Sequence, residues 1–537
     1  MRVETLRRYL VVHTWTGILS GLLLFVAFYA GGLSMFEPEI TRWAQAGPSH
    51  ADANPDADAL VAGFLAGQPT PPRSFQVVFA GEGNPAPFLR YREGGRRDGA
   101  EHRVVLDADG GLRSLDDPPG EVGDFVDRIH RKGGLPLPLE YAEPIIGVVA
   151  LVYALALVSG VIVLLPSLVR DLFALRITRN IKRNWLDLHN LVGITGLPFH
   201  IVMALTAAVF GLHDWIYDAQ GALVHPEGMR PVIAASAPQR DPVPTDPSAW
   251  LPPSRIVAAA REASPGFEPV ALEYRGVGTP GAAVHVAGTD DAHFKRSARV
   301  GYALMDPASG EVFRRTYLPG YGDSRWARAL TSFFALHFGS YGGTPVRILY
   351  AVLGLLGAVL FYTGNMLWIE SRTRRIRTAS GMPEQPTHVR RVAALNVGVC
   401  LGSIAGLSMA IVAWRWLDGA GMAGDVLGNA VFFAVLVAAV VRAFRRGAAQ
   451  AAIGLLGFAA LACALVPLTS LVAGVIPHHW APVVAKPYLP GFVFVDVLFT
   501  MIASVLAFLA LRARRRPRRG VALPASPVLP PGQASRP

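Results

Sequence analysis

Cysteine is almost missing from this chain: there are two among 537 residues, Cys400 and Cys463, both inside apolar runs. That count excludes a disulfide framework, an iron–sulfur cluster and a C-x-x-C-H haem attachment site. Two small buried hydrophobes is the simpler reading. Charge is scarce too. Asp, Glu, Lys and Arg make up 17% of the residues against 52% hydrophobic, and the mean hydropathy is +0.35. A soluble domain carries about 25% charged residues, so the composition points to a polytopic membrane protein. Nucleotide and hydrolase signatures are also missing. There is no G-x-x-x-x-G-K-[ST], H-E-x-x-H or G-x-S-x-G, and no strand-linked G-x-G-x-x-G reads as a nucleotide cradle. The chain therefore offers no hydride donor site of its own.

What is present is a series of apolar runs of roughly 20 residues, the length needed to cross a bilayer. They lie at 15–36, 144–165, 191–212, 346–369, 392–414, 426–441, 449–473 and 491–511, the sixth being the shortest. Basic residues decide their orientation. Arg2, Arg7 and Arg8 precede the first run, and Arg170, Arg176, Arg179, Lys182 and Arg183 lie between the second and third. Arg372, Arg374, Arg375 and Arg377 follow the fourth, and Arg442, Arg445 and Arg446 the sixth. Arg512, Arg514, Arg515, Arg516, Arg518 and Arg519 follow the eighth. Alternate short connections are thus Arg-rich, which predicts that they and both termini lie in the cytoplasm. The pI of about 9.9 reflects this bias, so membrane lipid, and not nucleic acid, is the expected partner of the basic residues. The first run exceeds the roughly 7–15 apolar residues of a secretory signal and reads as a retained anchor.

Two long segments leave the membrane on the outer side, 37–141 and 214–344, and carry the same signals in the same order. In the first, the pattern predicts a short amphipathic helix at Asp58–Leu65 and strands at 74–80, 87–92 and 102–107. In the second it predicts a helix at Ser254–Ala263 and strands at 268–274, 282–287 and 300–305. Asp107-Ala108-Asp109-Gly110 and Asp306-Pro307-Ala308-Ser309-Gly310 close the third strand of each set, Asp and Gly supplying local bonding and positive φ. The unit of span, small α+β domain, histidine and span therefore occurs twice in the same sense. Such repeats are related by an axis along the membrane normal.

Histidine recurs at matched places in that unit. His13 opens His13-Thr14-Trp15-Thr16-Gly17, and His189 opens His189-Asn190-Leu191-Val192-Gly193. His130 precedes the second span and His337 the fourth. The repeat predicts His13 opposite His189 near the cytoplasmic face and His130 opposite His337 near the outer face. Paired histidines at both faces suggest haem iron held by two imidazoles; a lone interfacial histidine would need only a hydrogen-bond partner. Gly17 and Ser20 share the face of His13, as Gly193 and Gly196 share that of His189. Such small residues either admit a flat macrocycle or let helices pack closely. His200 breaks the symmetry, because its counterpart is Leu24. It follows His189 by eleven residues, about 16 Å along one helix, and is either a ligand in place of His130 or His337 or a residue beside one. His213 reads as interfacial and His478-His479-Trp480 as a solvated outer loop. Tyr317, Tyr321, Trp326 and Tyr341 read as an interfacial aromatic belt.

The His13 motif, Phe125–His130 with Gly133-Gly134, and Trp185-Leu186-Asp187-Leu188-His189-Asn190 resemble the PepSY-associated transmembrane family. So do Leu197-Pro198-Phe199-His200, Leu336-His337-Phe338-Gly339, and Tyr350–Gly364 with Trp368. The members are bacterial iron-regulated inner-membrane proteins, and the resemblance covers about residues 1–375. Taken with the eight apolar runs, it implies a polytopic α-helical membrane protein of about eight transmembrane helices in the bacterial inner membrane. Two small periplasmic α+β, PepSY-like domains would be inserted between helices 1 and 2 and helices 3 and 4. The expected divisions are helix 1 (1–36), domain 1 (37–141), helices 2 and 3 with a basic cytoplasmic loop (142–212) and domain 2 (213–344). Helix 4 (345–371), a cytoplasmic linker (372–391), a four-helix extension (392–512) and a basic disordered tail (513–537) follow. The extension lies outside the family's shared core.

Some relatives in that family are haem-containing ferric-siderophore reductases. The resemblance and the histidine pattern together imply transmembrane electron transfer through two b-type haems, with His13, His189, His130 and His337 as iron ligands and His200 as a further candidate. A membrane quinol or a cytoplasmic partner would donate electrons. A periplasmic ferric chelate or siderophore would be reduced for iron acquisition, because hard oxygen donors hold Fe(III) better than Fe(II). The rival expectation is a non-enzymatic membrane protein whose outer domains bind a peptide, a protease or an envelope partner.

Overall fold

The structure is a computed structural model. It describes residues 3–44, 53–68, 70–81, 86–92, 101–115, 122–168, 181–225, 241–297, 300–315, 317–319, 325–372, 374–375, 383–384, 386–417, 424–475 and 492–515. The loop His478-His479-Trp480, Tyr321, Arg170, Arg176 and Arg179, and the tail after 515 lie outside these residues.

The first half of the repeat contains α1 (Val3–Ser34), α2 (Glu37–Ala44), α3 (Ala57–Ala66), β1 (Ser74–Val78), β2 (Phe88–Arg92), β3 (Glu101–Leu106), β4 (Leu112–Leu115), α4 (Val122–Lys132) and α5 (Leu139–Leu164). The second half contains α6 (Ile181–Thr195), α7 (Leu197–Val224), α8 (Pro253–Ala263), β5 (Glu268–Arg275), β6 (Ala283–Thr289), β7 (Gly301–Met305), β8 (Val312–Arg314), α9 (Arg325–Phe338) and α10 (Gly343–Arg372). A two-stranded pair, β9 (Arg374–Arg375) and β10 (Pro383–Glu384), leads to α11 (Thr387–Leu417), α12 (Gly424–Arg446), α13 (Ala448–Val475) and α14 (Phe492–Arg515). Eight of these helices (α1, α5, α7 and α10 to α14) are long and apolar enough to span a bilayer, so the protein is a multi-pass membrane protein. Helices are the natural form for these runs, since lipid satisfies no backbone polar group.

The third span departs from the expected single helix at 191–212. Pro198 has no N–H to bond the Ile194 carbonyl and its ring crowds that carbonyl. The chain breaks there, with Gly196 between α6 and α7. His189 and His200 consequently stand on two helices and not on one straight face.

Around the repeat, α1 packs on α5 and α10, α7 on α5, and α6 on α10. The crossings are close because glycine meets glycine. A Cβ on Gly354 of α10 would lie 3.0 Å from the Gly32 Cα of α1, and one on Gly147 of α5 would lie 2.8 Å from the Gly211 carbonyl carbon of α7. Small residues at such crossings let helix backbones approach.

Beyond the helix ends, the strands form where the alternation predicts them, but they do not make two separate sheets. All eight join one antiparallel sheet in the order β4-β3-β2-β1-β5-β6-β7-β8. The seam is β1 on β5, from Ser74↔Arg275 to Val78↔Ala271, with Phe75 directly opposite Tyr274. Either half alone would present an unpaired edge, and edge-to-edge pairing satisfies both. One apolar core runs beneath the whole sheet, from Leu60, Phe64 and Leu89 to Ile256, Val284 and Met305. The sequence Gly276-Val277-Gly278-Thr279-Pro280-Gly281 has G-x-G-x-x-G spacing after a strand but makes no nucleotide cradle. It turns β5 into β6, with Gly276 and Gly278 at positive φ. No helix N-terminus follows it to receive a pyrophosphate.

The extension docks on the first half. Trp43 of α2 donates its indole N–H to Ser470 Oγ at 2.8 Å and Asp496 Oδ1 at 3.2 Å, and Ser470 donates to Asp496 at 2.9 Å. The buried Arg415 guanidinium lies 4.8 Å from the Trp43 ring centre and donates to the Trp43 carbonyl. Phe125 of α4 meets Trp414 and Phe432 at 6.0 and 6.3 Å between ring centres.

Candidate functional site

The two short helices α4 and α9 each carry a histidine near their C-terminal end and stop in the same way. Gly134 N–H bonds Ile129 O and Gly133 N–H bonds His130 O, with Gly133 at φ 57°. Ser340 N–H likewise bonds Ala335 O, with Gly339 at φ 60°. These are Schellman-type stops, for which glycine at positive φ is the favoured residue. They turn the chain into the next span directly after His130 and His337.

The four matched histidines come together in two pairs. His13 and His189 have ring centres 6.1 Å apart, and His130 and His337 have ring centres 6.4 Å apart. Ala27, which bonds His130, lies fourteen residues after His13 on α1, so the pairs are separated by about 21 Å along that helix.

Every ring in these pairs is oriented by a bond at Nδ1. His13 Nδ1 bonds Ala156 O at 2.8 Å, and His130 Nδ1 bonds Ala27 O at 2.7 Å. His189 Nδ1 meets Leu360 O at 3.2 Å and Thr363 Oγ1 at 3.1 Å. A carbonyl only accepts, so these three Nδ1 atoms carry hydrogen. His337 Nδ1 meets Thr206 Oγ1 at 2.7 Å, and that hydroxyl gives its hydrogen to Val202 O at 2.6 Å. Thr206 is therefore the acceptor, and His337 Nδ1 carries hydrogen as well. All four rings are left with the lone pair at Nε2, the arrangement that metal-bound histidines use.

Glycines make room for three of the rings. A Cβ at Gly160 would sit 2.8 Å from His13 Cε1, one at Gly31 2.8 Å from His130 Nδ1, and one at Gly364 3.2 Å from His189 Cε1. The small residues that share a helix face with a histidine are Gly17, Ser20, Gly193 and Gly196, and of the three glycines only Gly196 borders a histidine ring, that of His200, whose Nε2 would lie 2.9 Å from a Cβ there. A Cβ at Gly17 meets nothing within 4 Å, and one at Gly193 meets only Leu360 at 3.4 Å. The signal for the right glycines is Ser159-Gly160 and Thr363-Gly364, which stand at matched places in α5 and α10.

The structure does not bring His200 opposite another histidine. It lies between the pairs among Phe28, Tyr153 and Phe199, with ring centres at 5.8, 6.3 and 5.7 Å, and its buried Nδ1 has no partner among the described residues. His213 bonds its own helix at Phe210 O. Tyr341 and Tyr350 share a hydroxyl contact of 3.1 Å, and Trp326 is exposed.

The donor set can be tested against a haem. In the two pairs the ring centres stand 6.1 and 6.4 Å apart and every Nδ1 is already bonded, so both Nε2 atoms of a pair would be available to one haem iron. Among the described residues no three His, Cys, Asp or Glu side chains converge as a metal cage requires; the histidines gather in twos, the number of axial positions on a haem iron. Within a turn of the His189 site, Trp185 and Trp368 carry buried indole N–H groups with no partner among the described residues, donors that suit a carboxylate.

Comparison with known proteins gives two findings. A family model described as the PepSY-associated TM region matches residues 10–371. The chain is also 28% identical over 345 residues to an uncharacterized protein of Pseudomonas aeruginosa, an alignment that covers 60% of this chain and 78% of that one.

Proposed function

The chain belongs to the PepSY-associated TM region family, and from that premise we propose that it carries electrons across the bacterial inner membrane through two b-type haems to a periplasmic ferric chelate. The supporting observation is the pair of facing imidazoles at each end of α1, four rings with Nδ1 bonded and the Nε2 lone pair left over. His13 and His189 would hold one group, and His130 and His337 the other. A haem held this way supplies a one-electron carrier whose potential depends on axial ligands, hydrogen bonds and burial. The chain's own residues orient the imidazoles: Ala156, Ala27 and Leu360 through their carbonyls, and Thr206 through its hydroxyl. Small residues at positions 31, 160 and 364 keep the rings from being displaced. The electron donor is a membrane quinol or a cytoplasmic protein, and the reduced product is Fe(II), which oxygen-donor chelates hold less well.

The deciding experiment is a pyridine haemochrome assay on protein purified from cells supplied with haem. The expected result is a Soret band, a reducible α-band and haem in a 2:1 ratio to chain, by the count of axial pairs. Colourless, folded protein would refute this reading and favour a non-enzymatic role in binding an envelope partner.

The same proposal fixes sidedness. The sheet lies in the periplasm, and the Arg-rich connections and both termini lie in the cytoplasm. Single cysteines placed in the sheet are expected to react with a membrane-impermeant maleimide in intact spheroplasts, and one at Lys182 only after lysis. Labelling of the Lys182 position from outside would reverse the orientation.

A further inference from the structure

At the Arg-rich end of the four-helix extension, two guanidiniums from different helices converge on one face of α13. We propose that this face binds a phospholipid with an anionic head group, its phosphate held between Arg442 and Arg514. Arg442 lies near the end of α12 and Arg514 near the end of α14. A Cβ at Gly454 of α13 would lie 2.8 Å from Arg442 Nη2, and one at Gly457 would lie 3.8 Å from Arg514 Nη2. Positions three apart on a helix put their Cβ atoms about 5–6 Å from one another. The two guanidiniums therefore stand about one turn apart over a floor made of glycine. Gly447, the single residue between α12 and α13, has φ 76° and folds the end of α12 back along α13.

The charge there has no internal answer. Arg442 and Arg514 are exposed, and neither makes a hydrogen bond or an ion pair with a described residue. Nor do Arg445, Arg446, Arg512 and Arg515 around them. Helices α11 to α14 contain no acidic residue besides Asp425 and Asp496. These stand near the other ends of α12 and α14, about 25 Å along the helices from Arg442 and Arg514. That is well beyond the screening length of roughly 8 Å at physiological salt. Setting the orientation of a span needs positive charge at one end; it does not need two guanidiniums over one face of one helix.

The same face continues as a place for acyl chains. Phe458 and Leu461 follow Gly454 by four and seven residues, so they share its face of α13, and both are exposed. Leu511, almost one turn before Arg514 on α14, is exposed as well. Cations at the end of an apolar strip match a phosphate on an apolar tail, and a guanidinium can meet phosphate through two parallel hydrogen bonds. Basic pockets between membrane helices take anionic head groups in this way. A zwitterionic head group would bring its own cation against the arginines, so an anionic one is favoured.

No part of this rests on haem. The test is native mass spectrometry of the full-length protein in detergent, titrated with dilauroyl phosphatidylglycerol or dilauroyl phosphatidylcholine, with inorganic phosphate as competitor. Phosphatidylglycerol is expected to bind saturably and at least about tenfold more tightly than phosphatidylcholine. Arg442→Gln combined with Arg514→Gln should weaken it about thirtyfold, with the thermal midpoint unchanged because both side chains are exposed. Arg445→Gln combined with Arg446→Gln removes the same charge away from the glycine floor and should cost no more than about threefold. Equal affinity for the two lipids would overturn the proposal without any variant. So would undiminished binding after loss of Arg442 and Arg514, or an equal loss in the Arg445 and Arg446 variant, which would reduce the effect to bulk attraction. Displacement of the lipid by an equal concentration of inorganic phosphate would make the occupant a free anion and overturn it too.

Discussion

Replacing His189 with alanine is expected to halve the haem bound per chain while the protein still inserts and folds. On the proposed reading the imidazole is one of two ligands at the Arg-rich end, where its ring centre stands 6.1 Å from that of His13. Its removal takes away an iron bond and the Nδ1 contacts to Leu360 and Thr363. Those contacts contribute about 1–2 kcal/mol, a minor part of a fold stabilised by about 5–15 kcal/mol, and alanine adds no charge to the span. The measurement is haem per chain with a redox titration, in which the component from this end should vanish. Wild-type haem content and an unchanged titration would show that His189 is not a ligand.

The larger functional effect is expected at the sheet end. His337→Ala should reduce the rate of external ferric-chelate reduction to background, with the His13–His189 site still loaded and still reducible from the donor side. The two sites lie about 21 Å apart along α1 and share no histidine, so one can be lost without the other. Thr206→Val provides the graded companion. It keeps the His337 imidazole but removes the acceptor that holds its Nδ1 at 2.7 Å. Loss of such a supporting contact costs about 10–100-fold in metal affinity or activity, so an intermediate rate and a shifted midpoint potential are expected. A normal rate in His337→Ala would mean that the exit site draws on other ligands, and His200, buried between the pairs, would be the first to replace.

Much of this was legible in the chain. Eight apolar runs became the eight candidate spans, and the alternating segments became strands within a few residues, because both signals are local. The pairing of His13 with His189 and of His130 with His337 followed from the repeat, which says which residues correspond. Three things were not legible. The β1–β5 seam is a long-range pairing of two edges, which no local pattern encodes. The ring-supporting glycines Gly31, Gly160 and Gly364 stand on helices other than the ones bearing the histidines they touch, so helical spacing around each histidine could not find them. The extension's attachment through Trp43, Arg415, Ser470 and Asp496 joins residues more than 370 positions apart in the chain. The break at Gly196 was available from Pro198 and was missed because the apolar run continues across it.

The continuous sheet also limits what kind of machine this is. Parallel repeats in a membrane often work as a rocker, one half tilting against the other to carry cargo. Here the halves are strapped together by five ladder positions at the seam and by the Asp58–Ser254 clasp, so a tilt that opened the sheet end would have to tear a ladder and split a shared core. A body strapped in this way keeps its halves still, which accords with the proposed carriage of electrons and not with a rocking transport of something the size of a chelate.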